Sequence, residues 1–198
     1  KYRTNYTVYA DGKIEIENSF EPGKKELPEL PRFGMKANVA KEFSNVDFYG
    51  RGPHENYCDR NYSALIGLYK STVDDQYEKY ISPQENGYKT DVRWLALTDN
   101  AGDGVIFIGT PLFGFSALKY TSENLTQKSR GSMHTIDLKE NDFTELHIDL
   151  KQMGVGGDDS WGAKPYPQYM IPAKMYSYKF VILPVSKNTD KTKLYRNN

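Results

Sequence analysis

The sequence predicts an all-β fold, an antiparallel β-sandwich, and two features of its pattern favour this class. Apolar and polar residues alternate with period two in several segments, which is the spacing of half-buried strands. Clusters of Gly, Pro, Asn and Asp separate these segments, while amphipathic helical spacing is scarce. With 198 residues, the chain is long enough to bury the core of one such domain.

Two β-hairpins are the clearest elements of the predicted sheets. In the first, residues 6–9 and 14–17 alternate on either side of the turn pair Asp11-Gly12. In the second, residues 92–97 and 105–108 are apolar runs that flank a turn rich in Gly, Asn and Asp. Each pattern predicts two neighbouring antiparallel strands.

Further strands are predicted at residues 113–118, 146–150 and 175–183, where apolar residues are dense. The best helical spacing lies in two short pieces, residues 55–62 and 122–127. Strands therefore dominate the prediction, and helices are confined to connections.

Irregular segments set the expected domain organisation. Residues 22–31 contain three prolines and a glycine, which predicts an irregular crossover. Residues 186–198 are polar and predict a frayed tail. We expect residues 1–185 to form a single β-sandwich domain, followed by the polar C-terminal tail.

Charge and composition disfavour several classes of partner. Lys plus Arg and Asp plus Glu each number 26, so the net charge is zero, and neither a nucleic acid nor a membrane surface is expected as a partner. No run approaches the roughly 18 apolar residues of a membrane helix, and the start lacks the apolar core of a signal peptide, so a soluble domain is expected. The chain begins at Lys1 and enters a strand pattern at once, which suggests a fragment. Its lone cysteine, Cys58, excludes an internal disulfide.

Catalytic and metal-binding patterns are not found in the sequence. His54, His134 and His147 are widely separated and lack the spacing of metal ligands, so no metal site is predicted. No Gly-x-Ser-x-Gly nucleophile elbow occurs, and residues 50–53 lack the Lys-Ser/Thr of a phosphate-binding loop.

Several acidic residues stand in loops bounded by Gly or Pro, where sites often lie. They are Glu55, Glu85, Asp158 and Asp159. Their number alone leaves a glycosidase-type carboxylate pair open. Turn-stabilising hydrogen bonds and salt bridges are nevertheless the favoured explanation for such loop acids.

The most unusual segment is residues 153–161, in which three glycines and two aspartates precede one of the two tryptophans. Glycines permit tight bends and close backbone approach, and aspartates can accept hydrogen bonds from turn amides. Such a loop would present Trp161 outward as a flat apolar surface that suits a sugar ring. The expected supporting residues are Gly156, Gly157, Asp158, Asp159 and Ser160.

This segment resembles a signature near the C-terminus of β-galactosidases of glycoside hydrolase family 2. Residues 49–60 (Tyr-Gly-Arg-Gly-Pro-His-Glu-Asn-Tyr-Cys-Asp-Arg) are similar to a second stretch of that family, preceded by residues 30–34 (Leu-Pro-Arg-Phe-Gly). Residues 83–87 (Pro-Gln-Glu-Asn-Gly), followed by Arg93, provide a third match in the expected order. Within the second stretch, Glu55, Asn56 and Arg60 are expected to be structural.

The resemblance implies a large supersandwich, similar to galactose mutarotase-like domains, at the end of a retaining β-galactosidase that hydrolyses galactosides such as lactose. The two catalytic glutamates would sit on a preceding barrel, so this chain would hold no catalytic residue and would be inactive alone. Trp161 would reach over the active site, near the subsite of the leaving sugar.

The remaining implications concern cofactors, assembly and compartment. Family enzymes often use Mg²⁺ and Na⁺ in the catalytic domain, so no cofactor is expected here. The galactoside would bind at the junction with the barrel, and the full-length enzyme would be a homo-oligomer. The compartment is left open between bacterial cytoplasm and periplasm.

Two other functions are compatible with the sequence. One is a stand-alone carbohydrate-binding module. The other is a mutarotase-like enzyme, which would need a histidine and a carboxylate that converge in one cleft. His54 and Glu55 are adjacent and would face opposite sides of a strand, which disfavours the second alternative.

Overall fold

The computed structural model describes residues 1–23, 26–126, 134–159 and 161–198. Strands dominate these residues, with two short α-helices and three 3₁₀ turns in the connections. The strands are β1 (Tyr2–Val8), β2 (Ile14–Phe20), β3 (Arg32–Ala40), β4 (Asn45–Gly52), β5 (Leu65–Thr72), β6 (Lys89–Thr98), β7 (Gly104–Leu118), β8 (Phe143–Gln152) and β9 (Tyr176–Val185). The helices are α1 (Ser122–Thr126) and α2 (Lys191–Arg196). The predicted all-β class is confirmed.

The strands are antiparallel throughout, and β7 joins two layers of the sandwich. The longer layer has the order β1-β2-β9-β7-β6-β4-β5. The first half of β7 pairs with β9, whereas its second half pairs with β8, which in turn pairs with β3. The β3-β8 pair folds back over the longer layer, and the Tyr178 hydroxyl on β9 donates across to the backbone carbonyl of Ile148 on β8 at 3.0 Å.

The main core lies between these layers and is rich in aromatic rings. Phe33 on β3 meets Tyr178 edge-to-face with ring centroids 5.5 Å apart, and Phe48 meets Phe115 at 5.3 Å. Such contacts add to the free energy of burial because ring edges and faces carry opposite partial charge. The period-two spacing of the strands explains this core, since alternate side chains of each strand point into it.

A second apolar cluster covers the outer face of the longer layer. It contains Trp94 and Ile106, and α2 packs Leu194 and Tyr195 against it. The side chain of Asp190 caps α2 by accepting from the backbone N–H of Lys193 at 2.9 Å. The expectation of a frayed tail is therefore wrong for residues 191–196, whereas the division of the chain at residue 185 remains a prediction.

Both predicted hairpins are confirmed. Strands β1 and β2 pair antiparallel with Tyr6 opposite Ile16, and β6 pairs with β7 with Leu97 opposite Val105. The strand predicted at residues 113–118 exists, but as the second half of β7 rather than as a separate element.

The predicted helical pieces have different outcomes. The helix near residue 122 is confirmed as α1. The helix expected at residues 55–62 is not present, and this segment is a series of turns. Asn56 donates its backbone N–H to the carbonyl of Tyr88, the residue before β6, at 2.8 Å. Three strands, β3, β4 and β5, were not predicted at all.

Neither helix of the described residues has the length and apolar character that crossing a membrane requires.

Candidate functional site

Trp161 projects from a loop that begins where β8 ends at Gln152. Its side chain is 94% exposed, in contrast to the other tryptophan, Trp94, which is 4% exposed. The outward presentation predicted for Trp161 is thus observed. Ser160, expected to support the loop, lies outside the described residues.

The two aspartates of the loop make different contacts. Oδ1 of Asp159 accepts from the backbone N–H of Trp161 at 2.7 Å and of Ala163 at 3.3 Å, which closes the turn around the tryptophan. Asp158 instead accepts from the Tyr166 hydroxyl at 2.7 Å. Asp159 therefore closes the local turn, and Asp158 links the loop to Tyr166, five residues after the tryptophan.

The base of the loop is held by a residue far away in sequence. Oδ2 of Asp59 accepts from the backbone N–H of Gly156 at 2.8 Å, and the N–H of Gly154 donates to the Tyr169 carbonyl at 2.9 Å. Sequence analysis did not identify Asp59, although it lies within the second matching stretch. These contacts anchor the backbone from which Trp161 projects.

Glycines are required in this loop because neighbouring atoms lie close to the backbone, rather than because the backbone takes unusual dihedral angles. A Cβ on Gly154 would lie 2.5 Å from the Asp59 carboxylate, and one on Gly157 would lie 2.3 Å from the Ala163 carbonyl oxygen. Both distances are too short for any side chain. The positive φ in this region occurs instead at Gly162, at +122°.

A cleft of about 1000 Å³ adjoins the loop, and residues 153–156 are among its lining residues. Arg32 of β3 also lines it. Nε of Arg32 is 3.1 Å from the carboxylate of the fully buried Asp149, and its Nη2 donates to both carboxylate oxygens of Glu85 at 3.1 Å. Burial raises the pKa of Asp149 to about 7, against the opposing effect of the Arg32 charge.

His147 extends this network along β8. Nδ1 lies 2.5 Å from Nη1 of Arg32, and because a guanidinium can only donate, Nδ1 accepts and the proton sits on Nε2. Nε2 lies 3.0 Å from the Glu145 carboxylate and 3.2 Å from the Ser122 hydroxyl. Burial, together with the Arg32 charge, lowers the pKa of His147 to about 4, so the ring is neutral near pH 7.

Two neighbouring residues of the second matching stretch, Glu55 and Asn56, make buried contacts within the chain. Glu55 is buried, pairs with Arg60 at 2.5 Å and accepts from the backbone N–H of Gly87 at 2.7 Å. Asn56 is also buried, and its Oδ1 accepts from the backbone N–H of Thr90 at 3.0 Å. These bonds fix the turns after β4 against the start of β6.

His54 and Glu55 do not converge, but they lie in the turns after β4 rather than on a strand, so the argument from opposite strand faces does not apply to them. His54 is exposed and lies 2.9 Å from the Ser63 hydroxyl, whereas Glu55 is buried. In the described parts of the chain, no three His, Cys, Asp or Glu side chains are grouped as metal ligands.

The Arg32 network was missed, although the sequence contains one signal of it. Glu145, His147 and Asp149 alternate with the apolar residues 146, 148 and 150 on β8, which places three polar side chains on one face of the strand. All three are buried. Polar residues that recur at every second position of a buried strand therefore indicate that other parts of the chain supply hydrogen-bond or charge partners for them.

Comparisons with known proteins agree on one family. A family model described as the β-galactosidase small chain matches residues 1–182. The β-galactosidase of Priestia megaterium is 40% identical over 181 residues, which is 91% of this chain and 17% of that protein. The β-galactosidase of Streptococcus thermophilus is 32% identical over 186 residues, or 93% of this chain and 18% of that protein. The chain thus spans less than a fifth of the length of these relatives.

Proposed function

The chain belongs to the β-galactosidase small-chain family, and from this membership we propose that it is the C-terminal, small-chain domain of a β-galactosidase. The assembled enzyme would hydrolyse terminal β-D-galactosides such as lactose. Its catalytic carboxylates would lie on a barrel in the larger portion, which needs about 250 residues of alternating strands and helices. The described residues form a β-sandwich instead.

The observation that carries the proposed role of this domain in the galactosidase site is the exposure of Trp161. A tryptophan that is 94% exposed loses the free energy of burying a large apolar ring unless another molecule covers it. Its loop is closed by Asp159 and anchored by Asp59, so the ring projects from a defined backbone. We propose that Trp161 forms one wall of the galactosidase site and stacks on the leaving or accepting sugar.

Cofactors and assembly follow from the same proposal. Mg²⁺ and Na⁺, where the family uses them, would bind the catalytic portion. The galactoside would bind at the junction of the two portions, and the complete enzyme would be a homo-oligomer.

The test uses a chimaera in which this chain replaces the matching region of the Priestia megaterium relative. A ring that stacks on a sugar covers about 100 Å² and gives at most about 2.5 kcal/mol. Ordering the sugar and the side chain on binding offsets part of this free energy and leaves about 1 to 2 kcal/mol, which corresponds to roughly tenfold in affinity for the sugar. Trp161→Ala should therefore weaken inhibition by glucose about tenfold, while hydrolysis of an activated aryl galactoside persists.

The matched control is Tyr62→Ala, which removes an aromatic ring that is 91% exposed at a position outside the loop. Trp94 is unsuitable because it is buried in the outer cluster. An active chimaera in which Trp161→Ala binds glucose as the parent does would contradict the role of Trp161. The isolated chain should not hydrolyse the aryl galactoside.

A further inference from the structure

A second concave surface, the β6-β7 pocket, is separate from the cleft beside the Trp161 loop. Its volume is about 450 Å³, which is within the range of small-molecule sites. The start of β6, the middle of β7, the end of β8 and the turn at residues 168–171 form its walls, together with Cys58. Among the described residues, the pocket and the cleft share only Gln152. The proposed role of Trp161 does not use this pocket.

The walls of the pocket are mainly apolar, and part of this apolar surface is exposed. Leu112, in the middle of β7, is 39% exposed, and Leu150 and Met170 are half-buried. Phe113 and Ile171 also line the pocket and are buried. Apolar side chains in a concave surface gain free energy when a ligand displaces the water that covers them. The walls therefore favour a ligand with an apolar body, such as an aromatic ring.

The backbone of one wall is irregular in a way that costs free energy. Asp91 has a φ of +53°, and in the part of the chain that the structure describes it is the only residue other than glycine with a positive φ. The pairing of β6 with β7 also shifts register on both sides of Val92. β-Bulges, which shift register in this way, are over-represented next to functional sites, and strained residues cluster there as well. These two features mark this part of the sheet as a candidate site.

One charged side chain of the pocket has no partner. Asp91 and Lys151 are its charged lining residues, and Nε of Arg51 pairs with the Asp91 carboxylate at 2.5 Å. Lys151 is exposed, and no carboxylate of the described residues forms an ion pair with it. Asp59, which follows Cys58 in sequence, lines a different cavity, where its carboxylate accepts a backbone N–H. These two cations and two carboxylates sum to zero, so a preference for an anion comes from the unpaired ammonium of Lys151 rather than from net charge.

We propose that the β6-β7 pocket binds a small monocarboxylate with an apolar body, in which Lys151 pairs with the carboxylate while Leu112 and Met170 contact the apolar body. An ammonium without a partner can pair with a ligand without displacing a carboxylate of the protein, and the apolar walls bury the rest of the molecule. A sugar, with hydroxyl groups over most of its surface, matches such walls poorly. Such a site would be independent of the galactoside site and of Trp161.

The experiment titrates the ¹⁵N-labelled chain with phenylacetate, and with phenylethyl alcohol and phenylethylamine as neutral and cationic analogues of similar shape. Amide shifts followed by NMR locate each molecule on the chain. We expect phenylacetate to shift the amides of residues 90–91, 112–114 and 150–151 with a dissociation constant on the order of 1 mM. Phenylethylamine should bind more weakly, and lactose should leave these amides unchanged.

Two substitutions separate the ion pair from the apolar contact. Lys151→Met should weaken binding of phenylacetate about threefold, as expected for an exposed ion pair, and leave binding of phenylethyl alcohol unchanged. Leu112→Ser should weaken binding of both molecules by about threefold or more. Far-ultraviolet circular dichroism and thermal melting verify that each variant is folded.

The matched controls remove the same kinds of side chain outside the pocket. Lys41→Met removes an exposed lysine between β3 and β4, and Leu65→Ser removes a leucine of β5 that is 71% exposed. Both variants should bind phenylacetate as the wild type does, and so should Trp161→Ala.

Three results would each overturn the proposal. They are the absence of shifts at the pocket amides at about 20 mM phenylacetate, equal affinity for phenylacetate and phenylethylamine, and wild-type affinity for phenylacetate in Lys151→Met. A loss of phenylacetate binding in Trp161→Ala or Lys41→Met would overturn it as well, since neither residue lines the pocket.

Discussion

Replacing Asp59 with alanine removes the hydrogen bond that anchors the Trp161 loop to the turns after β4. The Asp59 carboxylate accepts from the backbone N–H of Gly156 at 2.8 Å, in a partly exposed position. A hydrogen bond to a charged group is worth about 1.5 to 3 kcal/mol, and partial exposure places this one at the lower end. About 1.4 kcal/mol corresponds to a factor of ten, so alternative loop conformations should become about tenfold more populated.

The assay is ¹⁵N relaxation of the loop amides in the isolated chain. Order parameters at residues 154–157 and at Trp161 should fall from about 0.85, the value of rigid backbone, toward 0.6 in Asp59→Ala. The matched control is Asp75→Ala, which removes a similar carboxylate-to-amide bond, to the Thr72 N–H at 3.0 Å. Unchanged loop order parameters in Asp59→Ala, or an equal loss in Asp75→Ala, would refute the anchoring role.

Two further predictions concern the network beneath the cleft. The pKa of His147 is lowered to about 4 in the folded chain, from 6.5 in the unfolded chain. The stabilisation that the neutral ring gives to the folded state is therefore fully present above pH 6.5 and is lost as the pH falls toward 4. The free energy of unfolding should fall by at most about 3 kcal/mol over this range. The raised pKa of Asp149 changes stability with pH in the opposite sense, so wild type must be compared with a variant that lacks the histidine. Urea unfolding of wild type and His147→Gln at pH 7 and 4.5 measures the part of the pH dependence that is due to His147. Equal pH dependence of the two proteins would contradict the prediction. Gly34→Ala should destabilise by about 1 to 3 kcal/mol or more in urea unfolding, since its Cβ would lie 2.7 Å from the Cα of Asp149. Gly23→Ala, with open space around it, should change the free energy of unfolding by less than about 0.5 kcal/mol, and equal effects of the two substitutions would contradict the steric argument.

The hairpins could be predicted because their information is local. Alternation in β2 and the turn at Asp11-Gly12 lie within a few residues of each other, and Gly12 takes the positive φ of +87° that such turns use. Strand β4 was missed because it ends in Gly50-Arg-Gly52, which interrupts the apolar pattern. A Cβ on Gly50 would lie 2.8 Å from the Val92 side chain, so glycine here serves close strand packing rather than a loop.

The C-terminal helix was missed for a different reason. Residues 186–198 are polar on average, and average polarity predicts a tail. Leu194 and Tyr195 pack α2 against the outer cluster, and Tyr195 meets Tyr49 edge-to-face at 6.5 Å. Lys191 of the same helix pairs with Asp47 at 2.9 Å. The docking surface comes from distant strands, so no local pattern could reveal it.

The motifs that identified the family mark two kinds of residue, and only the structure separates them. Arg32 and Glu85 come from separate motifs 53 positions apart, yet they form one ion pair, and both residues line the cleft. Glu55 and Asn56 are buried and support turns. Trp161 differs from all of these because its ring has no internal partner among the described residues that would bury it. Exposure therefore adds what motif membership does not: Glu55 and Asn56 are held by contacts within the fold, whereas the Trp161 indole stands on an anchored loop with its ring exposed and able to contact another molecule.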